Sequence, residues 1–126
     1  MENDEKIIKD EQKTVLVKSK KFAARIIKLA EYLRDNKKAY VLADQVLRSG
    51  TSIGANVSEG KFSQSGADFY TKFKIALKEA SETDYWLEIM HDTGYLDDIQ
   101  YKSIHSDCDE IISMLVAITK TLSLRL

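Results

Sequence analysis

The sequence predicts a single all-α domain made of four helices. Its 126 residues are the size of one small domain, and 44% of them are hydrophobic, which is enough for one modest core. Proline is absent, so the chain has few sharp loops and no proline-rich linker. Apolar residues recur at intervals of three and four positions in four separate segments, whereas the alternation typical of strands is scarce.

The first helix is predicted over Val17 to Arg34. One apolar stripe runs along it, formed by Phe22, Ile26, Leu29, Ala30 and Leu33. The charged segment before it, residues 1–14, contains no apolar run. We interpret this segment either as an N-terminal tail or as an extension of the first helix, and we assign residues 15–126 to the four-helix domain.

The second helix is predicted from about Tyr40 and includes the glycine-rich stretch RSGTSIGANVSEG, Arg48 to Gly60. A phosphate-binding loop would need a preceding strand and the Lys-Ser/Thr pair of the Walker pattern, and neither is present. Instead a helical stripe runs through the glycines, formed by Leu42, Val46, Gly50, Ile53 and Val57. We therefore predict a continuous helix, with a break near Gly50 or Gly54 as the alternative.

Small residues form a ridge on this helix at four-residue intervals, at Gly50, Gly54 and Ser58. A glycine inside a helix costs about 1 kcal/mol relative to alanine. Such a ridge lets another helix backbone approach closely, which would offset that cost.

A polar stripe lies on the same helix beside Arg48 and consists of Gln45, Ser49, Ser52, Asn56 and Glu59. Serine and asparagine are poor helix formers, so this face is interpreted as one selected for short polar contacts. We expect Arg48 to pair with Glu79 or Glu82, either within one chain or between subunits.

The third helix begins at a capping-box pattern, Ser65-Gly66-Ala67-Asp68, and stops near Gly94. Its core stripe is Phe69, Phe73, Ala76, Ala80, Thr83, Leu87 and Met90. A second stripe follows another face, at Ile75, Glu79, Glu82, Trp86 and Ile89. A bundle helix needs only one stripe, so the second one indicates a subunit interface. The alternative is that Trp86 simply caps the core of the bundle.

The fourth helix begins at a second capping box, Asp97-Asp98-Ile99-Gln100. Alternating intervals of four and three residues then form a heptad seam of Ile104, Cys108, Ile111, Leu115, Ile118 and Leu122.

Charge is unevenly distributed along the chain although the net charge is only −1. Residues 13–38 hold nine basic side chains against two acidic ones, and residues 79–110 hold ten acidic side chains against one lysine. Three interpretations are open: solvated faces, complementary surfaces on neighbouring subunits, or a nucleic-acid patch. The candidate nucleic-acid contacts are Lys18, Lys20, Lys21, Arg25 and Lys28.

Catalytic and metal chemistry finds little support in the sequence. Glu88 and His91 have the Glu-x-x-His spacing of di-iron bundles, but the second motif is missing. His91, His105 and Cys108 could surround zinc, yet Cys108 fits the apolar seam as a buried thiol. We predict no catalytic residue, no metal, no cofactor and no small-molecule substrate. The sequence has one cysteine, no apolar run of membrane-spanning length and no signal peptide. We therefore predict a cytoplasmic protein with no membrane partner.

The runs LRSGTSIGANVSEG and DFYTKFKIALKEASETDYWLEIMHDTGYL resemble the bacterial S23, or 23S rRNA intervening-sequence, protein family. The resemblance extends from about Lys18 to Leu122. It implies an antiparallel up-down-up-down four-helix bundle that assembles into a barrel-like homopentamer, and a relation to the accessory proteins of diversity-generating retroelements. Those accessory proteins are basic, whereas this chain is slightly acidic.

The sequence therefore predicts a non-enzymatic homo-oligomeric scaffold whose partner is further copies of itself. The alternative is an accessory protein that binds RNA or DNA through the basic face of the first helix, together with a nucleic-acid-processing protein. Salt dependence separates the two, because phosphate binding weakens steeply as salt rises.

Overall fold

Four helices make up the protein in a computed structural model, which describes the backbone of residues 2–126 and the side chains of residues 5–126. They are α1 (Glu2–Asp35), α2 (Tyr40–Gly60), α3 (Gly66–Asp92) and α4 (Asp98–Ser123). Each helix packs against the next one, and α4 packs against α1. The described residues contain no strand, so the predicted all-α, four-helix fold is confirmed.

One hydrophobic core runs between the helices and is built from the predicted stripes. All of the stripe residues of α1 and α4 are buried, and so are those of α2 and α3 except for Leu42 and Phe69. Full burial of one such aliphatic or aromatic side chain contributes about 1.5–3 kcal/mol. The helices are therefore held together mainly by these stripes.

The first helix begins much earlier than its predicted start at Val17. The whole segment of residues 2–14 is helical, and Met1 lies outside the described residues. Ile8 and Val15 are buried and lie one heptad apart, so the early part of α1 packs against the bundle. Ile8 has no apolar residue three or four positions away between Glu5 and Thr14, so no helical stripe revealed its burial.

The second helix runs without interruption through Gly50 and Gly54 to Gly60. Its start has no side-chain cap. The chain instead turns at Lys38, whose φ of 55° is left-handed, and the N–H of Ala39 donates to the carbonyl of Leu33 at 2.9 Å.

The third and fourth helices begin at the predicted caps. The hydroxyl of Ser65 accepts from the N–H of Asp68 at 3.1 Å, but the Asp68 carboxylate reaches the N–H of Gln64 rather than that of Ser65. At Asp97 both halves of the capping box are present. The third helix ends in a Schellman motif at Gly94, where φ is 85° and the N–H of Tyr95 donates to the carbonyl of Met90.

None of the helices, as far as the structure describes them, combines the length and the apolarity of a membrane-spanning segment.

Candidate interaction surface

Arg48 of α2 joins two carboxylates of α3. Its Nη1 lies 3.1 Å from Glu79 Oε2, and its Nη2 contacts Glu82. The Glu79 side chain is only 14% exposed, whereas that of Arg48 is 49% exposed. Trp86 extends the group, since its Nε1 donates to the same Glu82 oxygen at 3.4 Å. The expected pairing of Arg48 is thus made within one chain, between neighbouring helices.

Apolar side chains continue this group across α3. Trp86 packs partly against the core and meets the ring of Tyr85 edge-on, with 5.2 Å between ring centroids. Tyr85 is 54% exposed and Ile75 is 36% exposed. We call Ile75, Tyr85 and Trp86 the outer face of α3. Trp86 contributes to both the core and this surface. The two interpretations from the sequence, a subunit interface and a cap on the core of the bundle, therefore do not exclude each other.

The polar stripe of α2 mostly bonds to its own helix. Ser52 Oγ donates to the carbonyl of Arg48 at 2.6 Å, and Asn56 Nδ2 donates to the carbonyl of Ser52 at 2.8 Å. Glu59 is exposed and pairs with Lys72 of α3 at 2.9 Å. Gln45 is partly buried. Such back-bonding gives these polar groups a partner within their own helix, although it slightly destabilises the helix.

Ser49 differs from the rest of this stripe because it is completely buried. Its hydroxyl oxygen lies 2.9 Å from that of Thr83, which also donates to the carbonyl of Glu79 at 2.8 Å. Sequence reasoning placed Ser49 on the polar face and missed this pair. The available signal was Thr83 itself, because a hydroxyl in a core stripe needs a buried partner.

Two glycines of α2, Gly50 and Gly54, face α1. A Cβ atom at Gly50 would lie 2.8 Å from two carbons of Ile26, and one at Gly54 would lie 3.1 Å from the hydroxyl of Ser19. Ser58, the third residue of the small-residue ridge, is partly buried. The two helices therefore approach closely where α2 lacks side chains.

The family model for the 23S rRNA-intervening sequence proteins matches residues 11–117 of this chain. The chain belongs to that family. It is also similar to a crystal structure from Bacteroides thetaiotaomicron VPI-5482, a protein with unknown function from the S23 ribosomal protein family, determined at 1.70 Å resolution. The two chains are 48% identical, with a TM-score of 0.85 over 87% of this chain and 98% of the other. No curated protein is similar enough to count as a match.

Two of the five candidate nucleic-acid contacts lie next to acidic residues of α4. Lys18 contacts Glu110, and Arg25 bonds to the Asp107 carboxylate at 2.7 Å and to the Ser103 hydroxyl at 3.0 Å. Lys28 approaches Glu31 of its own helix at 3.6 Å. Lys20 and Lys21 are exposed and have no ionic partner among residues 5–126. Much of the basic face is therefore neutralised within the chain.

The two histidines form a stack that the sequence did not reveal. The ring of Tyr101 lies between His91 and His105, with centroid distances of 4.4 and 4.9 Å. His91 Nε2 is 2.6 Å from Asp98, and His105 Nε2 is 2.8 Å from Asp84. The hydrogen bond from His91, and then its charge, lower the pKa of Asp98. Each histidine is thus engaged by a carboxylate of a different helix.

Cys108 lies at the centre of the bundle. It is fully buried, and desolvation raises the pKa of its thiol to about 12. Such a thiol is a poor nucleophile and a poor metal ligand. Within the described residues, no group of three or more His, Cys, Asp and Glu side chains is arranged to hold a metal ion.

Proposed function

We propose that this protein is a non-enzymatic scaffold that assembles with copies of itself through the outer face of α3. One observation carries the proposal: Ile75, Tyr85 and Trp86 expose apolar surface beside an ion-paired cluster on a helix whose other face already fills the core. Interfaces are enriched in aromatic side chains and arginine. Arg48 and its two carboxylates would then form the polar edge of the contact.

The finer architecture belongs to the same proposal. Contacts between neighbouring helices run in opposite directions along the two helices of each pair. From Lys18 to Arg25 of α1, the partner in α4 moves back from Glu110 to Asp107. From Ser49 to Glu59 of α2, the partner in α3 moves back from Thr83 to Lys72. This order supports an antiparallel up-down-up-down bundle. The resemblance to the family supports a barrel of five such bundles.

A cytoplasmic location and the absence of catalysis are also part of the proposal. The raised pKa of Cys108 supports a protein without thiol catalysis, because the thiolate is the reactive form. A single buried free cysteine supports a cytoplasmic location, where thiols stay reduced.

Native mass spectrometry tests the assembly on protein purified without nuclease. We expect five chains for the wild type and single chains for Ile75→Lys/Tyr85→Lys, because two charges would be placed within the apolar contact. The matched control is Ile27→Lys/Val116→Lys, which alters side chains that are 42% and 47% exposed on other helices. A wild-type monomer, or equal dissociation of both variants, would contradict the proposal.

A second candidate function is nucleic-acid binding through the basic face of α1. Lys20 and Lys21 favour it, because both are exposed and neither has an ionic partner among residues 5–126. The pairing of Lys18 and Arg25 with α4 weakens it. The same spectra test this function, since bound nucleic acid would add mass that is shed as salt rises.

A further inference from the structure

An open cavity of about 620 Å³ lies between the first half of α1 and the connection from α2 to α3. One side of α1 lines it, including Lys9, Lys13 and Leu16. The connection and the start of α3 supply Lys61, Ser63 and Phe69. The volume lies within the range of small-molecule sites in proteins, about 300–1,000 Å³.

Every charged side chain that lines this cavity is a lysine. Lys9 and Lys13 have no ionic partner among the described side chains, and Lys61 contacts only the ring of Phe62, at 5.5 Å. Two acids of the α2–α3 side are engaged elsewhere: Glu59 pairs with Lys72, and Asp68 accepts from the N–H of Gln64. Three unpaired ammonium groups around one concave surface create a local positive potential that attracts anions.

Ser63 adds a polar group to the same cavity. Its hydroxyl oxygen is buried from solvent and has no hydrogen-bond partner among the described residues. A buried hydroxyl without a partner is energetically unfavourable. An anionic oxygen bound beside the lysines would accept a hydrogen bond from this hydroxyl.

The remaining lining is apolar and exceeds what a bare phosphate needs. Leu16 and the ring of Phe69 line the cavity, and Phe69 is braced by Phe73 with 4.7 Å between ring centroids. A fixed aromatic ring offers a surface on which a planar base can stack.

We propose that this cavity binds a nucleotide, free or as one unit of a single-stranded nucleic acid. The phosphate contacts Lys9, Lys13, Lys61 and the Ser63 hydroxyl, and the base lies against Leu16 and Phe69. This site is separate from the outer face of α3 and from the basic residues paired with α4. The proposal therefore stands or falls independently of the scaffold function.

Calorimetry with AMP, inorganic phosphate and adenosine tests the site at low salt. We expect AMP to bind saturably and about tenfold more tightly than either fragment, because stacking and phosphate contacts are both needed. Lys9→Ala/Lys13→Ala/Lys61→Ala should weaken AMP binding at least about tenfold. The control Lys20→Ala/Lys21→Ala/Lys28→Ala removes the same charge from a part of α1 that does not line the cavity. It should leave the affinity for AMP within about twofold of the wild-type value.

Two further measurements sharpen the test. Ser63→Ala should weaken AMP binding several-fold without lowering the melting temperature. If the hydroxyl had a purely structural role, its removal would not give this combination of results. A fluorescent hexa-adenylate distinguishes a free nucleotide from one unit of a single strand as the ligand. A strand is indicated if the hexa-adenylate binds more tightly than AMP and the triple cavity variant loses that binding. A free nucleotide is indicated if the hexa-adenylate binds no more tightly than AMP.

The proposal is overturned if AMP does not saturate, if phosphate alone binds as tightly, or if both triple variants lose affinity equally. Assembly is measured by native mass spectrometry on the same samples, so a loss of binding cannot be confused with a loss of subunits.

Discussion

Gly50 lies where α2 packs closely against α1. Its backbone is helical, so alanine would gain about 1 kcal/mol of helix propensity there. A Cβ atom would, however, lie 2.8 Å from two carbons of the buried Ile26. Overpacking of this kind costs about 1–3 kcal/mol. We expect Gly50→Ala to lower the free energy of unfolding by about 1 kcal/mol, measured by urea denaturation, because the clash outweighs the propensity.

Gly66 provides the control for that change. It is the first residue of α3, and nothing lies within 4 Å of the position that a Cβ atom would occupy. Gly66→Ala should leave stability unchanged or raise it slightly. If Gly50→Ala were as well tolerated as Gly66→Ala, the close packing of these helices would not be the reason for a glycine at position 50.

The junction of α3 and α4 is held by His91 and Asp98. The His91 hydrogen bond is the largest cause of the lowered pKa of Asp98, and the charge of Lys102 is a smaller one. We expect His91→Leu to raise the Asp98 pKa towards its ordinary value in a carboxyl NMR titration. Lys102→Ala should raise it less. An unchanged pKa in His91→Leu would show that the contact is not formed in solution.

The sign of this shift determines its effect on stability. Because the Asp98 pKa is lower in the folded protein, the folded state binds fewer protons there than the unfolded chain. The contribution is fully present above the ordinary aspartate pKa of about 4 and is lost as the pH falls through the lowered value. His91→Leu should therefore flatten the acid limb of the stability profile.

Helices with periodic apolar stripes could be predicted from the sequence, and less regular features could not. The heptad seam of α4 and the caps at Ser65 and Asp97 are local patterns, so they identify their elements directly. The early start of α1 depends on Ile8, whose burial is decided by residues far away in the chain.

Contacts at the surface also divide into those that could be predicted from the sequence and those that could not. Pairing of Arg48 with α3 could be anticipated from opposite charges on neighbouring helices. The histidine stack and the cavity beside Lys61 could not, because each brings together residues from separate elements with no shared spacing in the sequence.

Charge is neutralised locally along one seam of the bundle, between α1 and α4. Acidic residues of α4 lie along the middle of α1, where Glu110 and Asp107 meet Lys18 and Arg25. The first turns of α1 extend beyond this pairing, and there Lys9 and Lys13 remain unpaired among the described residues. A chain with a net charge of −1 thus keeps a positive concave surface beside the connection from α2 to α3.

Cys108 reports on the cooperativity of the bundle as a whole. Its thiol is fully buried within the seam of α4 and lies 3.6 Å from the carbonyl of Ala80 in α3. Burial raises its pKa from 9.0 to about 12, which lowers the thiolate fraction at neutral pH roughly a thousandfold. Alkylation therefore requires the helices to separate, since only separation exposes and re-solvates the sulfur.

We expect the alkylation rate of Cys108 to rise with urea along the same slope as global unfolding. The control is Cys108→Ser/Ser106→Cys, which moves the thiol to an exposed position on the same helix and should react at once without urea. Rapid labelling of Cys108 that does not depend on urea would mean that α4 opens alone. The four stripes would then form separable units, and the core would not unfold as a single cooperative structure.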